Sequence, residues 1–416
     1  MRRIFTFKVF RYLLLASFGS ELGSWIQLAG SDWFVTGQTL DPLQVSLLGA
    51  AMNLPTFLFG IPAGVMADIL GRRRMLLIAQ LWMVSTAIVM TVMLKSGALA
   101  PPALILLTFF LYSGMAMQEP ALYATFPEVV PRDLLPTAVT LHGAEWASAR
   151  VLGPIVGGAM MARWGIPSAF FANVVSYFGL IAFLLSWKPE KQIRSTAPRF
   201  LELFQEGLRL IRTSGRLRRI LMLSGLISLG GMPPLVLTPL LARTTLHVDS
   251  KGFGLLMSCL GFGSLLGTLA SAGLIRRFSA TTVGVAGLVL AAGAILAQSV
   301  VHTPVLFGAL LVSSSFGTIL ATMAVAVAMQ SCLPGNVRGR IMGFYLVLFS
   351  GGASFGAVLT GWVAREAGVS TTQWAASVLL LALAASILSS GLPVQNAPAP
   401  VTEAEPDAQL VQRASA

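Results

Sequence analysis

The chain has few charged residues, histidines and cysteines for its length. Of 416 residues only 11% are Asp, Glu, Lys or Arg, while 55% are hydrophobic, and there are three histidines and two cysteines. So apolar a composition excludes a soluble globular protein of this size. Cys259 lies inside an apolar run and Cys332 near the end of another, a pattern that predicts neither a disulfide nor a metal site. We interpret the chain as a polytopic membrane protein.

The sequence also lacks the patterns of a soluble enzyme. His142, His247 and His302 are scattered, and no phosphate-binding Gly-x-x-x-x-Gly-Lys is present. We therefore expect no enzymatic activity, no cofactor, no metal and no ATP-driven function. A formal charge of +12 is typical of nucleic-acid binding, but the basic residues lie between apolar runs, so we expect no nucleic-acid partner.

Long apolar runs predict an all-α membrane protein with twelve transmembrane helices, each long enough to cross a hydrocarbon core of about 30 Å. The first run continues too far beyond Arg2 and Arg3 for a cleaved signal peptide. The charge-free stretch 278–337 is divided by His302-Thr303-Pro304. The predicted spans are 12–35, 44–67, 75–95, 102–124, 137–162, 168–187, 220–242, 252–275, 280–301, 304–330, 341–364 and 372–391.

The basic residues predict the orientation of these spans. An even number of spans places both termini on one side, and 22 of the 28 Lys and Arg residues fall on that side, against five on the other. Because basic loops stay in the cytoplasm, both termini are expected there.

The basic segment 188–219 separates six spans from six. We expect an N-terminal bundle at 1–187, this cytoplasmic linker, a C-terminal bundle at 220–392 and a disordered tail at 393–416. Within the linker, apolar residues at near-helical spacing predict an amphipathic helix on the membrane surface; an alternative is a basic linker that only sets the topology. A shift of 203 residues superposes four backbone-critical positions of the two halves: Pro131 on Pro334, Gly153 on Gly356, Gly158 on Gly361 and Gly165 on Gly368.

A glycine, acid and arginine cluster, Gly64-Val65-Met66-Ala67-Asp68-Ile69-Leu70-Gly71-Arg72-Arg73-Arg74, joins the second and third spans. It resembles the signature Gly-x-x-x-Asp-Arg-x-Gly-Arg-Arg of the major facilitator superfamily, with Ile69 in place of a basic residue. The resemblance covers roughly residues 8–392. It implies two pseudo-symmetric six-helix bundles, alternating access, a monomer and a place in the inner membrane of a bacterium.

Two further motifs resemble exporters of that superfamily. Gly153-Pro154-Ile155-Val156-Gly157-Gly158 in the fifth span is similar to the core of the antiporter motif, although Ala149 stands where a glycine is expected. The start of the eleventh span, Arg338-Gly339-Arg340, together with the basic linker, resembles the subgroup of enterobactin exporters and macrolide-efflux-type proteins. Helix packing is the alternative role of the four motif residues Gly153, Pro154, Gly157 and Gly158.

The resemblance also implies a conformational latch. In the family the turn after the second span faces the start of the eleventh, so Gly64, Asp68, Gly71, Arg72 and Arg73 are expected to meet Arg338 and Arg340 in one of two conformations. Alternatively, the arginines serve only as topology signals.

Charged residues inside the spans are the main functional candidates, since each is costly in lipid. They all lie in the first half: Glu21, Asp32, Glu119, Glu145 and Arg150. Glu21 and Glu145 are predicted near mid-membrane, where burial favours a protonated carboxyl group, and they are our proton carriers; a fixed ion pair is the alternative. We expect Asp32 at a solvated helix end, and a local helix break at Pro120 beside Glu119.

Arg150 cannot lose its charge, so it needs an acidic partner or an anionic substrate group. Glu145 is poorly placed on the same helix, and we expect the partner on the first or fourth span. Together these observations predict a secondary exporter of amphipathic small molecules, drugs or siderophore-like metabolites, by proton antiport. Its partners are the substrate, protons and the lipid bilayer. A non-transporting membrane scaffold or sensor with the same fold is the alternative.

Overall fold

A computed structural model describes residues 2–187, 200–333 and 335–392; the side chains of residues 2, 65, 68, 200–204, 206–207 and 335–340 lie outside that description. The described residues form helices joined by short turns. The long helices are α1 (Lys8–Gln38), α2 (Pro42–Leu70), α3 (Arg72–Lys95), α4 (Pro101–Val129), α5 (Leu135–Trp164), α6 (Pro167–Ser186), α7 (Phe200–Thr213), α8 (Gly215–Gly230), α9 (Pro233–Thr244), α10 (Ser250–Phe278), α11 (Ala280–Gln298), α12 (Pro304–Ser331), α13 (Gly335–Ala367) and α14 (Val369–Ser390).

Each predicted span overlaps a helix, and the turn predicted around His302 separates α11 from α12. The seventh span is broken: α8 ends at Gly230 and α9 begins at Pro233, because Pro233 and Pro234 have no amide hydrogen with which to continue the helix. Among the described residues, ten helices are long and apolar enough to cross a membrane, with α8 and α9 taken as one. α1 and α5 are as long, but polar side chains interrupt their apolar sequence.

Two predicted local features have different outcomes. Pro120 does not break α4, which continues as a helix from Pro101 to Val129; the predicted break is wrong, since a proline costs one backbone hydrogen bond that a packed membrane helix can lose. In the basic linker, the predicted amphipathic segment contains α7. Its residues Leu210 and Ile211 pack against the core of the helices that follow. Residues 188–199 of the linker and the tail 393–416 lie outside the described residues.

The helices form two sets, which we call the N-terminal helices (α1–α6) and the C-terminal helices (α8–α14). Within the first set α1 packs on α5 and α6, and α3 packs on α4 and α6; within the second α12 packs on α10 and α11, and α14 on α11. The sets meet where α2 packs on α13 and α5 on α10. Small residues allow this approach. A Cβ on Gly361 would overlap the side chain of Ser46, and one on Gly254 would lie 2.3 Å from the Pro154 carbonyl oxygen.

Several contacts between the sets lie at one end of the helices, which we call the Asp41 end. Arg243 of α9 reaches α1: its guanidinium lies 3.7 Å from the centre of the Trp33 ring and donates to Thr36 Oγ1 (2.9 Å) and to the Trp33 carbonyl oxygen (2.8 Å). Asp41 and Arg365 form a longer ion pair of 3.8 Å. The N-terminal and C-terminal helices are therefore tied together at the Asp41 end.

Candidate proton and substrate site

The three glutamates predicted from the spans come together in the structure. Glu21 lies near the middle of α1, Glu145 ten residues after the start of α5, and Glu119 ten residues before the end of α4. Since α4 runs opposite to α1 and α5, these positions place all three at a similar depth, about 15–20 Å along the helices from one end. Glu21 is 2% exposed and Glu145 is 7% exposed. We call these residues, with His142, the carboxylate cluster.

His142 joins two members of the carboxylate cluster. Its Nδ1 lies 3.2 Å from Glu145 Oε2, and its Nε2 lies 3.7 Å from Glu119 Oε2. The imidazole is buried and has the rings of Tyr123 and Phe126 edge-on to it, at 5.2 and 5.6 Å between centroids. One imidazole between two carboxylates can bind a proton and pass it from one to the other.

Glu21 faces this pair from α1. It interacts electrostatically with Glu119, Glu145 and His142, and the hydroxyl group of Ser17, one turn earlier, interacts with Glu145. Among the described residues, Glu21 Oε2, Glu119 Oε1 and Glu145 Oε1 are buried and have no hydrogen-bond partner. Three carboxylates and one imidazole cannot all be ionised in such a place without a large desolvation cost. Full ionisation of the carboxylate cluster is therefore unfavourable.

A second, neutral network fixes α1 next to the cluster. Asn173 of α6 donates to Gln27 Oε1 (2.7 Å) and to the Tyr177 hydroxyl (3.2 Å), and that hydroxyl lies 3.2 Å from Ser24 Oγ. A Cβ on Gly23 would collide with Ser176 of α6. Since Ser24 follows Glu21 by one turn, these contacts determine where Glu21 points.

Arg150 has a different environment from the one predicted. Among the described residues no carboxylate lies within 4.0 Å of its guanidinium, so the expected acidic partner on the first or fourth span is absent there. Instead the guanidinium faces the rings of Trp25 on α1 and Trp146 on α5, at 5.5 and 5.6 Å from their centroids. The two indoles touch edge to face at 5.8 Å. Aromatic faces attract a cation but do not neutralise it.

The side chain of Asp32 is buried rather than solvated. It lies six residues before the end of α1 and is only 7% exposed, so the prediction of a solvated helix end is wrong. The helix continues to Gln38, and the residues around Asp32 are covered by neighbouring helices. Asp32 and Glu21 both interact electrostatically with Tyr112 of α4, which places Asp32 on the same side of α1 as the cluster.

The four motif residues of α5 are buried and make close contacts. A Cβ on Gly153 would lie 2.4 Å from Trp25 Cβ, and one on Gly157 would lie 3.1 Å from the Ile26 carbonyl oxygen, both on α1. Gly158 instead faces α10, where a Cβ would lie 2.5 Å from the Ser250 carbonyl oxygen. The motif therefore packs α5 against both the N-terminal and the C-terminal helices, with Pro154 between these faces.

In this structure the side chains of the arginine turn contact other N-terminal helices, α4 and α6. Arg72 pairs with Glu128 at 2.6 Å, and Arg73 donates to the carbonyl oxygens of Leu184 and Leu185 at 2.7 and 3.0 Å. Gly71 has φ +84°, a conformation that disfavours other residues at the turn. The side chains of the remaining predicted latch residues, Asp68, Arg338 and Arg340, lie outside the described residues, and Gly64 has no heavy atom within 4 Å of a Cβ placed on it.

Comparison with known proteins gives the family. The sequence model of one family of the major facilitator superfamily, the transmembrane secretion effectors, matches residues 4–415. The chain belongs to this family. Like its relatives it is a multi-pass membrane transporter rather than an enzyme.

Among relatives of this secretion effector, a multidrug efflux pump of Mycolicibacterium fortuitum is 26% identical over 89% of this chain and 93% of its own. A staphyloferrin A transporter of Staphylococcus aureus is 25% identical over 62% of this chain and 66% of its own length. An enterobactin exporter of Citrobacter koseri is 26% identical over 77% of this chain and 75% of its own.

A solved structure also resembles this secretion effector. A bacterial homologue of the lysosomal transporter Spinster, in an inward-facing and unoccupied conformation, has a TM-score of 0.76 at 14% identity, over 94% of this chain and 99% of its own. At that identity the likeness shows the fold alone.

Sequence reasoning missed His142, the residue that joins Glu119 and Glu145. The three histidines of the chain are far apart in sequence. Their spacing argued against a histidine cluster, but it said nothing about one histidine surrounded by glutamates. The signal was its spacing: His142 precedes Glu145 by three residues, and residues three apart lie on one face of a helix. The pairing with Glu119 on α4 could not be deduced from spacing.

Proposed function

We propose that this secretion effector exports amphipathic small molecules in exchange for protons. The observation that carries the proposal is the carboxylate cluster: three glutamates from α1, α4 and α5 around His142, with buried oxygens that lack partners among the described residues. A scaffold gains nothing from burying such groups, whereas a proton-coupled carrier requires them. The efflux and siderophore-export roles named for its relatives support the direction of transport.

Coupling follows from the balance of charge in the carboxylate cluster. Each proton that binds a carboxyl group reduces the net negative charge of the cluster and so lowers the cost of keeping it away from water. When the site opens to the cytoplasm, that proton leaves and the substrate binds. After the substrate has been released outside, a proton from the outside binds before the empty protein returns, so each export step is accompanied by proton entry.

The proposed architecture is that of alternating access between two pseudo-symmetric six-helix bundles, 1–187 and 220–392, with twelve membrane spans and a monomeric chain. The ten apolar helices, together with α1 and α5, supply twelve spans. Both termini and the segment 188–219 are placed in the cytoplasm, as the basic residues indicate. The Asp41 end then faces outwards, and the contacts of Arg243 with α1 close that side, as in an inward-facing carrier.

The latch remains part of this proposal. When the outer side opens, the inner ends of α2 and α13 approach, and Asp68 on α2 is proposed to meet the start of α13 near Arg338 and Arg340. Asp68→Asn should then shift the protein towards the inward-facing state without preventing insertion. Unchanged transport, with unchanged spin-label distances between the two helix sets, would count against the latch.

The proposed function is tested in energised inside-out vesicles that contain this protein. A panel of anionic, neutral and cationic amphiphiles is offered, and accumulation in the vesicle lumen is measured with and without a proton uncoupler. At least one compound should accumulate beyond vesicles that lack the protein, and the uncoupler should abolish the difference. Accumulation that resists the uncoupler would exclude proton coupling. No accumulation of any compound would contradict export.

A further inference from the structure

Arg150 is a permanent charge near the centre of a membrane helix. It lies 15 residues after the start of α5 and 14 before its end, and the guanidinium group does not lose its proton in proteins. Its contacts among the described residues are the rings of Trp25 and Trp146. An uncompensated charge at this depth is expensive, so a counter-charge is expected in at least one state of the transport cycle.

The counter-charge does not come readily from the chain itself. Glu119 and Glu145 face His142, and Glu21 faces that group. Asp32 lies seven residues beyond Trp25 on α1, about 10 Å along the helix. The C-terminal helices offer no acid either, because their interior segments contain no Asp or Glu: 220–242, 252–275, 278–337 and 341–364. Motion of the C-terminal helices past α5 therefore cannot bring a carboxylate from those segments to Arg150.

Arg150 also lies where the two helix sets meet. A Cβ on Gly261 of α10 would lie 2.6 Å from the Arg150 carbonyl oxygen, so the backbone at Arg150 lies where α5 and α10 touch, while the guanidinium faces Trp25 and Trp146. Trp146, one turn earlier on α5, is 38% exposed and offers an open indole surface. A charge, two aromatic rings and a junction between moving parts are the components of a binding site for an amphiphile.

We infer that Arg150 is the anchor for an anionic group of the transported molecule, with Trp25 and Trp146 in contact with its apolar or aromatic body. The guanidinium donates two parallel hydrogen bonds to a carboxylate, sulfonate or phosphate. The two indoles hold the Arg150 side chain in position for these bonds. The inference rests on the proposed export function and adds the class of substrate: an organic anion with a flat apolar part.

The site lies next to the carboxylate cluster. Trp25 follows Glu21 by one turn on α1, and Arg150 follows Glu145 by five residues on α5, which is about 7.5 Å along the helix. The proposed anion site and the carboxylate cluster therefore lie within one region of the N-terminal helices.

Three probes with the same ring test the inference: 1-pyrenebutyrate, 1-pyrenebutanol and 1-pyrenebutylamine. The purified full chain is placed in nanodiscs of neutral lipid, and binding is followed by energy transfer from tryptophan to pyrene, with empty nanodiscs as the partition control. No gradient is present, so failure of uphill export leaves this result intact, and failure here leaves proton-driven export untouched. The wild type should bind the butyrate at least about tenfold more tightly than the butanol, and the butylamine least.

Variants assign the preference to Arg150. Arg150→Gln should bind butyrate and butanol equally, whereas Arg150→Lys should lose about threefold or more for the butyrate only, since an ammonium cannot form the paired hydrogen bonds. Arg163→Gln, at the exposed end of the same helix, is the matched control and should behave as the wild type. A wild type without preference for the butyrate, or an Arg150→Gln variant that keeps it, would overturn the inference. If Arg150→Gln does not insert into the membrane, two other measurements decide whether the inference holds. These are the order of the three probe affinities in the wild type and the loss of butyrate affinity in Arg150→Lys.

Discussion

The N-terminal and C-terminal helices bury different kinds of polar group. The N-terminal helices bury Glu21, Glu145 and Asp32 together with His142. The C-terminal helices bury serines, threonines and glutamines, which form short neutral bonds: Ser264 to Ser315 at 2.7 Å, and Gln298 to Ser314 at 3.2 Å. Hydrogen bonds between uncharged side chains do not depend on pH, whereas a carboxylate loses its charge when a proton binds.

Close backbone contacts also occur among the C-terminal helices. A Cβ on Gly317 of α12 would lie 2.4 Å from the Gly287 carbonyl oxygen on α11, and one on Gly352 would lie 2.1 Å from that of Gly225. Such helices move as a unit, because their backbones interlock. The buried carboxylates of the described residues therefore lie in the N-terminal helices.

The largest expected effect is that of Glu21→Gln. The amide keeps the size and hydrogen bonding of the side chain but cannot titrate, so uphill export should fall to the level of vesicles without protein while downhill exchange continues. Accumulation and exchange of the panel compound that the wild type transports are measured in parallel. Glu366→Gln, at an exposed carboxylate of the C-terminal helices, should have no effect. Full uphill export by Glu21→Gln would move the proton site to Glu145.

His142→Gln should reduce uphill export about tenfold or more, because it leaves two buried carboxylates without their shared partner. The remaining transport should depend less on pH than that of the wild type, a change that loss of packing alone would not produce. The rate is measured across a series of external pH values. His302→Gln, at an exposed histidine outside the cluster, is the control. Equal pH profiles for the wild type and His142→Gln would remove the histidine from the proton path.

Gly158→Val tests the contact between the two helix sets. The valine must displace the backbone of α10, at a cost of about 1–3 kcal/mol, so the Asp41 end should open in a larger fraction of molecules. Spin labels at cysteines introduced at Arg163 and Lys251, in a background without Cys259 and Cys332, report the distance. Gly143→Val on the same helix, where a Cβ meets no heavy atom within 4 Å, should leave the distances as they are. A distance distribution unaffected by Gly158→Val would show that this contact does not hold the end closed.

Arg243→Gln should give the smallest of these effects, a shift of the same equilibrium by about tenfold or less, since it removes one cation–π contact and two hydrogen bonds. The same spin-label pair is used. Arg365→Gln is the comparison: its pair with Asp41 is long and the arginine side chain is 54% exposed, so the shift should stay within about twofold. A larger shift for Arg365→Gln than for Arg243→Gln would reverse this assignment of the outer closure.

Particular residues show how far the sequence could be followed. The span 75–95, which lies within α3, was predictable because hydropathy and length alone indicate a membrane helix. The sequence Gly-Gly-Met-Pro-Pro indicates the helix break before Pro233. The span was nevertheless predicted as continuous, because its hydropathy is high throughout. Asp32 was placed wrongly because distance from a helix end does not say which neighbours cover it.

By itself, the sequence determined the all-α membrane class, the resemblance to a transporter family and the five charged residues inside the first-half spans. These properties depend on the order of apolar and charged residues along one chain. Only the tertiary structure decided that His142 joins Glu119 to Glu145, that Arg150 faces two indoles rather than an acid, and that Arg243 ties α9 to α1. Each of these depends on contacts between helices distant in sequence, and no spacing within a single helix determines which of them become neighbours.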